Sequence, residues 1–398
     1  MENILKHRTY FFPIYLVSFL VTYHWALALY ISSSFVGLFV SETAIGFVYA
    51  ISSVLTIFFL IQFPKILSRF GNYKTTLGVI IIQGISLVLL SLPLPPLILL
   101  SVFMLMQAWL VLLGFNFDVF LERFSADKET GAIRGVFLTV LNLAILLGPL
   151  TTGIVLKNDN YGEVFLISAI FLIPALFITV WKLRSFQDPV YRIVPYARVI
   201  KEVLLAKHPN DEVRHAFLAS LLLKFFYSWM VIYTPLYLYT HAGFNWSEIG
   251  VILTIMLLPF VLFELPMGYL ADTKVGERNI MMSGFFIMSL FTASLFFITE
   301  PALYVWASLL FCTRIGASFV EITSESYFFK HIKSEDTETL SVFRDTGPIA
   351  SIAATILASL LLLVFDMRYL FLILAIIMLL GVWVAFNMKQ NSPQEDEF

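Results

Sequence analysis

The 398-residue chain has a single cysteine, Cys312, and only 13% Asp, Glu, Lys and Arg, with a net charge of −2. One thiol cannot close an internal disulfide, and this one stands in an apolar stretch, which excludes a disulfide scaffold and a Cys-ligated metal centre. The scattered Lys and Arg residues create no basic field for nucleic acid. There is no H-E-x-x-H, no G-x-S-x-G and no His/Asp metal cluster, so an intramembrane hydrolase or metalloenzyme has no visible constellation to work with. A phosphate-binding G-x-x-x-x-G-K-[ST] loop is also missing, which argues against ATP drive within this chain. The expectation is a non-enzyme without cofactor or metal. What the chain does have is apolar surface: 59% of its residues are hydrophobic and its mean hydropathy is +0.88, against a charged share of about 25% in soluble proteins. At about 20 residues per span, twelve spans account for about three fifths of the chain. The protein is mostly membrane.

Apolar runs broken by charges, Gly or Pro predict helices over 10–31, 43–63, 74–92, 96–121, 133–156, 163–183, 215–239, 248–270, 278–299, 301–328, 342–365 and 368–388. The first run is longer than a signal-peptide core and no small-residue cleavage site follows it, so it reads as a retained span. With the N-terminus inside, 21 of the 25 basic residues fall in inner segments, and only Lys157 and Arg368 in outer ones. The positive-inside rule then puts both termini in the cytoplasm. The expected setting is a plasma membrane, the inner membrane in a bacterium, with the protein multi-pass and monomeric.

The long connection 184–214 separates a first half, 1–183, from a second half, 215–398, which ends in a short acidic tail. Within the connection Val199, Ile200, Val203 and Leu204 share one face, and Arg198, Lys201, Glu202 and Lys207 lie elsewhere. That is the pattern of an amphipathic helix at the inner interface, serving as a tether or as a regulatory element.

The two halves repeat each other. Tyr23-His24-Trp25 precedes Ile45-Gly46 by the same interval as Tyr227-Ser228-Trp229 precedes Ile249-Gly250, and Gln62-Phe63-Pro64, Asp118 and Glu122 match Glu264-Leu265-Pro266, Glu321 and Glu325 at nearly the same offset. Ser41-Glu42 and Ser247-Glu248 place a Ser and an acid where a helix begins, as capping favours. Several weak matches at one offset point to two parallel copies of a six-helix unit.

On these residues the chain resembles the major facilitator superfamily, transporters built from two six-helix halves. The resemblance is most specific at Gly268-Tyr269-Leu270-Ala271-Asp272, followed by Gly276 and Arg278, which is similar to the family's loop signature G-x-L-A-D-R-x-G-R with one residue inserted after the Asp. The corresponding first-half loop keeps Arg69 and Gly71 but has Ser68 in place of the acid, so the charged lock that the family builds there lacks its carboxylate. Gly148-Pro149-Leu150-Thr151-Thr152-Gly153 is similar to the Gly-Pro motif of the family's exporters, although close helix packing also accounts for it. The resemblance implies an all-α integral membrane fold of twelve helices in two pseudo-symmetric bundles, whose first, fourth, seventh and tenth helices line a central cavity.

A charge at the bilayer centre costs about 2.5–3.5 kcal/mol even on insertion scales. His24, Gln107, Lys224 and Arg314 each lie about 10–15 residues into one of those four helices and so near one depth. With Trp25 and Tyr227 beside them they form the expected substrate-binding set. Tyr23 and Trp229 are further candidates for stacking. Lys224 and Arg314 are neutralised either by carboxylates or by an anionic substrate, and His24 serves either proton coupling or packing. Arg314, Ser318, Glu321 and Glu325 form one stripe on the tenth helix, and Gln107, Gly114, Asp118 and Glu122 another on the fourth. Asp118, Glu122, Glu321 and Glu325 are read as a proton or substrate path, or as gates paired with Arg123, Arg134, Lys330 or Arg344. Glu264, whose first-half copy is the neutral Gln62, is either a coupling group or a brace for the Asp272 loop. Tyr233, Tyr237 and Tyr239 are expected in an interfacial belt. Together these residues predict a secondary transporter, symporter or antiporter, that moves a small solute, an anion among the options, with H+ by alternating access. The alternatives are a multidrug-type efflux antiporter and a transporter-like receptor.

Overall fold

The computed structural model describes residues 2–124, 130–156, 159–191, 196–204, 210–332, 337–344 and 346–390. Among them there is no strand. The helices are α1 (Glu2–Leu29), α2 (Ser32–Gly37), α3 (Glu42–Phe70), α4 (Asn72–Leu90), α5 (Pro96–Phe124), α6 (Thr130–Val155), α7 (Tyr161–Lys182), α8 (Tyr196–Leu204), α9 (Asp211–Thr240), α10 (Trp246–Leu270), α11 (Glu277–Leu295), α12 (Leu303–His331), α13 (Thr337–Arg344), α14 (Thr346–Leu361) and α15 (Tyr369–Phe386). Ten of them are long and apolar enough to cross a bilayer. The other two of the twelve spans are α11, whose first turn carries Glu277 and Arg278, and the 16-residue α14. The eleventh predicted span is thus divided between α13 and α14, and Asp345 lies outside the described residues.

Local signals account for several helix starts. Asn245 accepts the Glu248 N–H while the Glu248 carboxylate accepts the Asn245 N–H, both at 3.0 Å, a capping box that opens α10. The cap is Asn245 and not the expected Ser247, because Ser247 already lies inside the first turn. Asn210 caps α9 through the Glu212 N–H and donates to the His331 carbonyl at the end of α12. Between Asp272 and Gly276, where the sequence carries one residue more than the family signature, the chain forms a single π turn over Ala271–Val275. A π turn absorbs one extra residue without ending the helix, so the insertion leaves the loop in register.

The chain forms two compact units, Met1–Val40 with Ile51–Ile193, and Ser41–Ala50 with Val194–Phe398. In the first, α1 packs on α5, α6 and α7, and α4 on α5 and α7. In the second, α9 packs on α12, α14 and α15, and α11 on α12 and α15. Within 184–214, Asp188 is tied to α4, and Tyr196–Leu204 forms the short helix α8, with Val199 buried and Arg198 paired to Glu202 at 2.9 Å. Unit 2 also takes the first turns of α3, where Gly46 lies against Tyr233, Thr355 and Ser359.

Two of the three belt tyrosines turn inward. Tyr233 is packed on Trp229, and Tyr237 against Trp306 and Phe371. The face of α9 that carries both residues is buried inside unit 2, where their rings fill space between helices. Tyr239 stacks on Trp246.

Candidate functional site

In unit 1, α1, α5 and α6 line a half-open cavity of about 310 Å³. Residues at i, i+4 and i+7 share one helix face, and Ser18, Thr22 and Trp25 line the α1 wall at that spacing. Gly114 and Asp118 line the α5 wall, and Phe137 faces the cavity from α6. The structure therefore brings Trp25 and Asp118 of the expected set to one cavity. His24 and Gln107 are not among its lining residues. Successive residues on a helix point about 100° apart, so His24, next to Trp25, faces α4 instead. There it is fully buried and its Nε2 lies 3.1 Å from the Gln83 amide nitrogen. Gln107 is half-buried two turns before Gly114 on α5. Tyr23 is bonded to Thr151 at 2.7 Å and set edge-on to Phe171, which makes it a joint between α1, α6 and α7.

In unit 2 charged groups gather around one carboxylate. The Tyr227 hydroxyl donates to Glu321 at 2.6 Å, and the Lys224 ammonium lies 3.9 Å from the same carboxylate. The Arg314 guanidinium, with the side chain 1% exposed, lies over the rings of Phe226 and Tyr227 at 5.1 and 5.4 Å. Glu264 is within electrostatic reach of the Tyr227 hydroxyl. A partly exposed ion pair is held in place by further hydrogen bonds and polarisable faces, and here Tyr227 supplies both, its hydroxyl to Glu321 and its ring 5.7 Å from the Lys224 ammonium. Trp229, next in the expected stacking set, is buried between Phe225 and Tyr233 and is core. Glu325 is exposed one turn beyond Glu321. The side chains of Glu122, Arg123 and Arg134 lie outside the described residues.

The signature loop of unit 2 is held by Lys330, which bonds Asp272 at 2.7 Å and also bonds the buried carboxylate of Glu277. Ser326 donates to Glu277 as well. Arg278 lies over the Phe386 ring. Gly268 faces Ile322 of α12. In unit 1, Arg69 is exposed beside the Phe70 ring. Gly71 and Gly276 begin α4 and α11 with φ of 78° and 82°, a backbone conformation that only glycine takes without strain. The two helices thus start from the same glycine conformation.

The acid missing at Ser68 is supplied from elsewhere in the chain. Asp188, six residues beyond α7, accepts the Asn72 N–H at 2.6 Å and the Tyr191 hydroxyl at 2.5 Å. Sequence reading did not pick out Asp188, because nothing local ties it to α4. The available signal was an acid shortly after α7, in a half whose signature loop lacks one.

Gly148 accounts for the exporter-like stretch. A Cβ there would meet the backbone of Ala26, and Thr152 donates to the Leu27 carbonyl at 2.7 Å. The motif joins α6 closely to α1.

No curated protein matches the chain. Solved transporter structures share its fold. A variant of the nucleoside transporter NupG superposes with a TM-score of 0.75 at 14% identity, covering 96% of this chain and 100% of that one. The unsubstituted nucleoside transporter NupG gives 0.73 at 13%, covering 98% and 100%. A POT family transporter in complex with 5-aminolevulinic acid gives 0.75 at 13%, covering 94% and 95%. The family model described as Major Facilitator Superfamily matches residues 11–343 and, in a second alignment, 216–397, and with the fold and the paired loops this makes the chain a member of the Major Facilitator Superfamily.

Proposed function

We propose that the protein is a secondary active transporter that moves a small solute across a plasma membrane by alternating access, coupled to protons, with both termini in the cytoplasm. The halves 1–183 and 215–398 serve as the moving bodies, and transport, not catalysis, is the activity. The observation that carries this reading is the Lys224, Tyr227, Glu321 cluster: a carboxylate at membrane depth holding a cation and a phenol at once. Intramembrane ionisable groups are expensive and mark ion and substrate paths. Protonating Glu321 removes the charge that holds Lys224 and weakens the hydrogen bond from Tyr227, and deprotonating it restores both, which links a proton to a rearrangement of α9 against α12. The same pairing supports carboxylate neutralisation of Lys224 over capture of an anionic solute.

The test uses ligands found by thermal shift of the purified protein against metabolite and drug panels at two pH values. In proteoliposomes an imposed pH gradient is expected to drive accumulation of such a ligand, and Glu321→Gln to abolish gradient-driven accumulation while preserving exchange of labelled for unlabelled ligand. Accumulation unaffected by Glu321→Gln sinks the coupling role. Ligand binding with neither exchange nor accumulation favours a receptor.

A further inference from the structure

The cavity of unit 1 offers a solute apolar surface and little else. On α5, Leu110, Gly114 and Asp118 stand four residues apart and so share one helix face, and all three line the cavity. Gly114 makes a gap in that face, because a Cβ built there meets nothing within 4 Å. The other two walls carry Trp25 and Thr22 from α1 and Leu141 and Ile145 from α6, all half-buried. Among the described residues that line the cavity, Asp118 is the one charged group, and it is already engaged within the protein. The Ser18 hydroxyl is buried out of reach of the open space, with the residue 1% exposed. The hydroxyl left on the open surface is that of Thr22.

We infer that this cavity binds an uncharged solute with a flat ring, the ring lying on Trp25 and over the gap at Gly114, and one hydroxyl or carbonyl of the solute hydrogen-bonded to Thr22. Size supports it: with water's share of liquid at roughly 30 Å³, the cavity of about 310 Å³ suits a solute of about ten non-hydrogen atoms. Charge supports it too. An ion moved into apolar surroundings loses hydration that only an uncommitted opposite charge makes good, and with Asp118 engaged this lining supplies none. Shape decides for a ring. A glycine lets a flat group approach the backbone closely, and the Trp25 indole offers a broad face for offset or edge-on ring contact. Ligand pockets commonly have this make-up, an apolar lining with a few polar groups that fix orientation.

The inference rests on reading the cavity as part of the transport path, but its test is binding, so the two can fail separately. Four probes of similar size are compared by isothermal titration and thermal shift on the full-length protein in detergent: 2-phenylethanol, 2-cyclohexylethanol, 2-phenylethylamine and phenylacetate. Partition into the micelle does not saturate and is the same for every variant, which separates it from binding at a site. The flat alcohol is expected to bind tightest, the two ions about tenfold or more weaker, and the puckered alcohol about two- to tenfold weaker. Gly114→Leu fills the gap from a position where added atoms meet open space and should abolish saturable binding of 2-phenylethanol. Should Gly114→Leu not fold, Trp25→Leu, at a half-buried position, should weaken the flat alcohol more than the puckered one. Either ion or the puckered alcohol binding as tightly as 2-phenylethanol, no saturable binding of it, or binding unchanged in the folded variant overturns the inference. Binding that Gly114→Leu removes, in a protein for which no pH gradient drives accumulation of any screened ligand, leaves it standing and removes the transport reading. Gradient-driven accumulation of a ligand without saturable 2-phenylethanol binding does the reverse.

Discussion

The Asp188 carboxylate accepts the backbone N–H of Asn72 at 2.6 Å, across 116 residues of sequence. It sits at the first turn of α4, where orphan N–H groups and the helix dipole both favour an anion. A second bond from Tyr191 orients it, and Gly71 lies directly against it. The first half therefore keeps an acid at the place its signature loop has lost one, delivered by the segment after α7.

Removing that cap has a calculable cost. Asp188→Ala should lower stability by about 1 kcal/mol, the usual value of an N-terminal cap, and Asp188→Asn by less, since an amide oxygen still accepts. Gly71→Ala acts on the same contact from the other side. It forces a positive φ on an L-residue, worth about 1–2 kcal/mol, and its Cβ would press on the carboxylate. The double variant should cost less than the sum of the singles, because both break one contact. Thermal unfolding of the four proteins measures this, and strict additivity would separate Gly71 from Asp188.

Much of this architecture was legible in the sequence, for reasons that differ from element to element. The spans were readable because lipid demands about 20 apolar residues whatever the tertiary context. The repeat was readable because both copies kept Pro64 and Pro266, and the Asp118 and Glu321 positions, at matching intervals. Partner choice was not. The 116-residue gap from Asp188 to Asn72 has no local trace, and neither does the selection of Glu321 by Lys224 and Tyr227 over the basic residues at the helix ends. His24 and Trp25 were taken together because they are adjacent, yet adjacency on a helix sends side chains to different neighbours. Tyr233 and Tyr237 depart from the expected belt because composition cannot tell a ring facing lipid from one facing another helix.

The Lys224, Glu321 pair should behave as a unit. Lys224→Met alone leaves the carboxylate with Tyr227 only, and Glu321→Gln alone leaves a cation without its carboxylate at membrane depth, so each single variant should be less stable than the parent. The double variant is expected to recover part of the loss, with a coupling of about 0.5–3 kcal/mol. Tyr227→Phe deletes a hydrogen bond to a charged group and should cost about 1.5–3 kcal/mol. A double-mutant cycle by denaturant or thermal unfolding reads both, and a coupling near zero would falsify the pairing.

A pH-dependent contact lies at the far end of α9. His241 caps that helix, and its Nε2 is 3.0 Å from a Glu42 carboxylate oxygen. The hydrogen bond to Glu42 raises the imidazole above its usual 6.5, partial burial opposes the shift, and the charges of Glu42 and Asp366 add to it. A raised value means that the charged pair is fully formed below about pH 6.5 and is lost as pH rises through the higher folded value. Both side chains are about two fifths exposed, so the contribution is at the low end for ion pairs, about 0.2–1 kcal/mol. Unfolding temperature followed from pH 5.5 to 9 should show a small decline on the alkaline side of 6.5 that His241→Gln and Glu42→Gln both remove. If the decline persists in both variants, another group causes it.

The same substitution at two glycines should have opposite effects. At Gly148 a Cβ would fall on the backbone of Ala26, where α1 and α6 are also joined by the Tyr23 to Thr151 and Thr152 to Leu27 hydrogen bonds. Gly148→Ala has to push the helices apart and should cost about 1–3 kcal/mol, as overpacking does. At Gly114 nothing lies within 4 Å of the added atom, and alanine is the better helix former by about 0.5–1 kcal/mol. Gly114→Ala should therefore leave stability equal or higher while taking volume from the cavity beside Asp118 and weakening whatever binds there. Melting temperature and ligand titration on both variants separate the roles: Gly148 holds the bundle together and Gly114 keeps space open in it. A stable Gly148→Ala protein would mean that α1 and α6 can separate at that point without penalty, and the Gly-Pro stretch would then need an explanation other than packing.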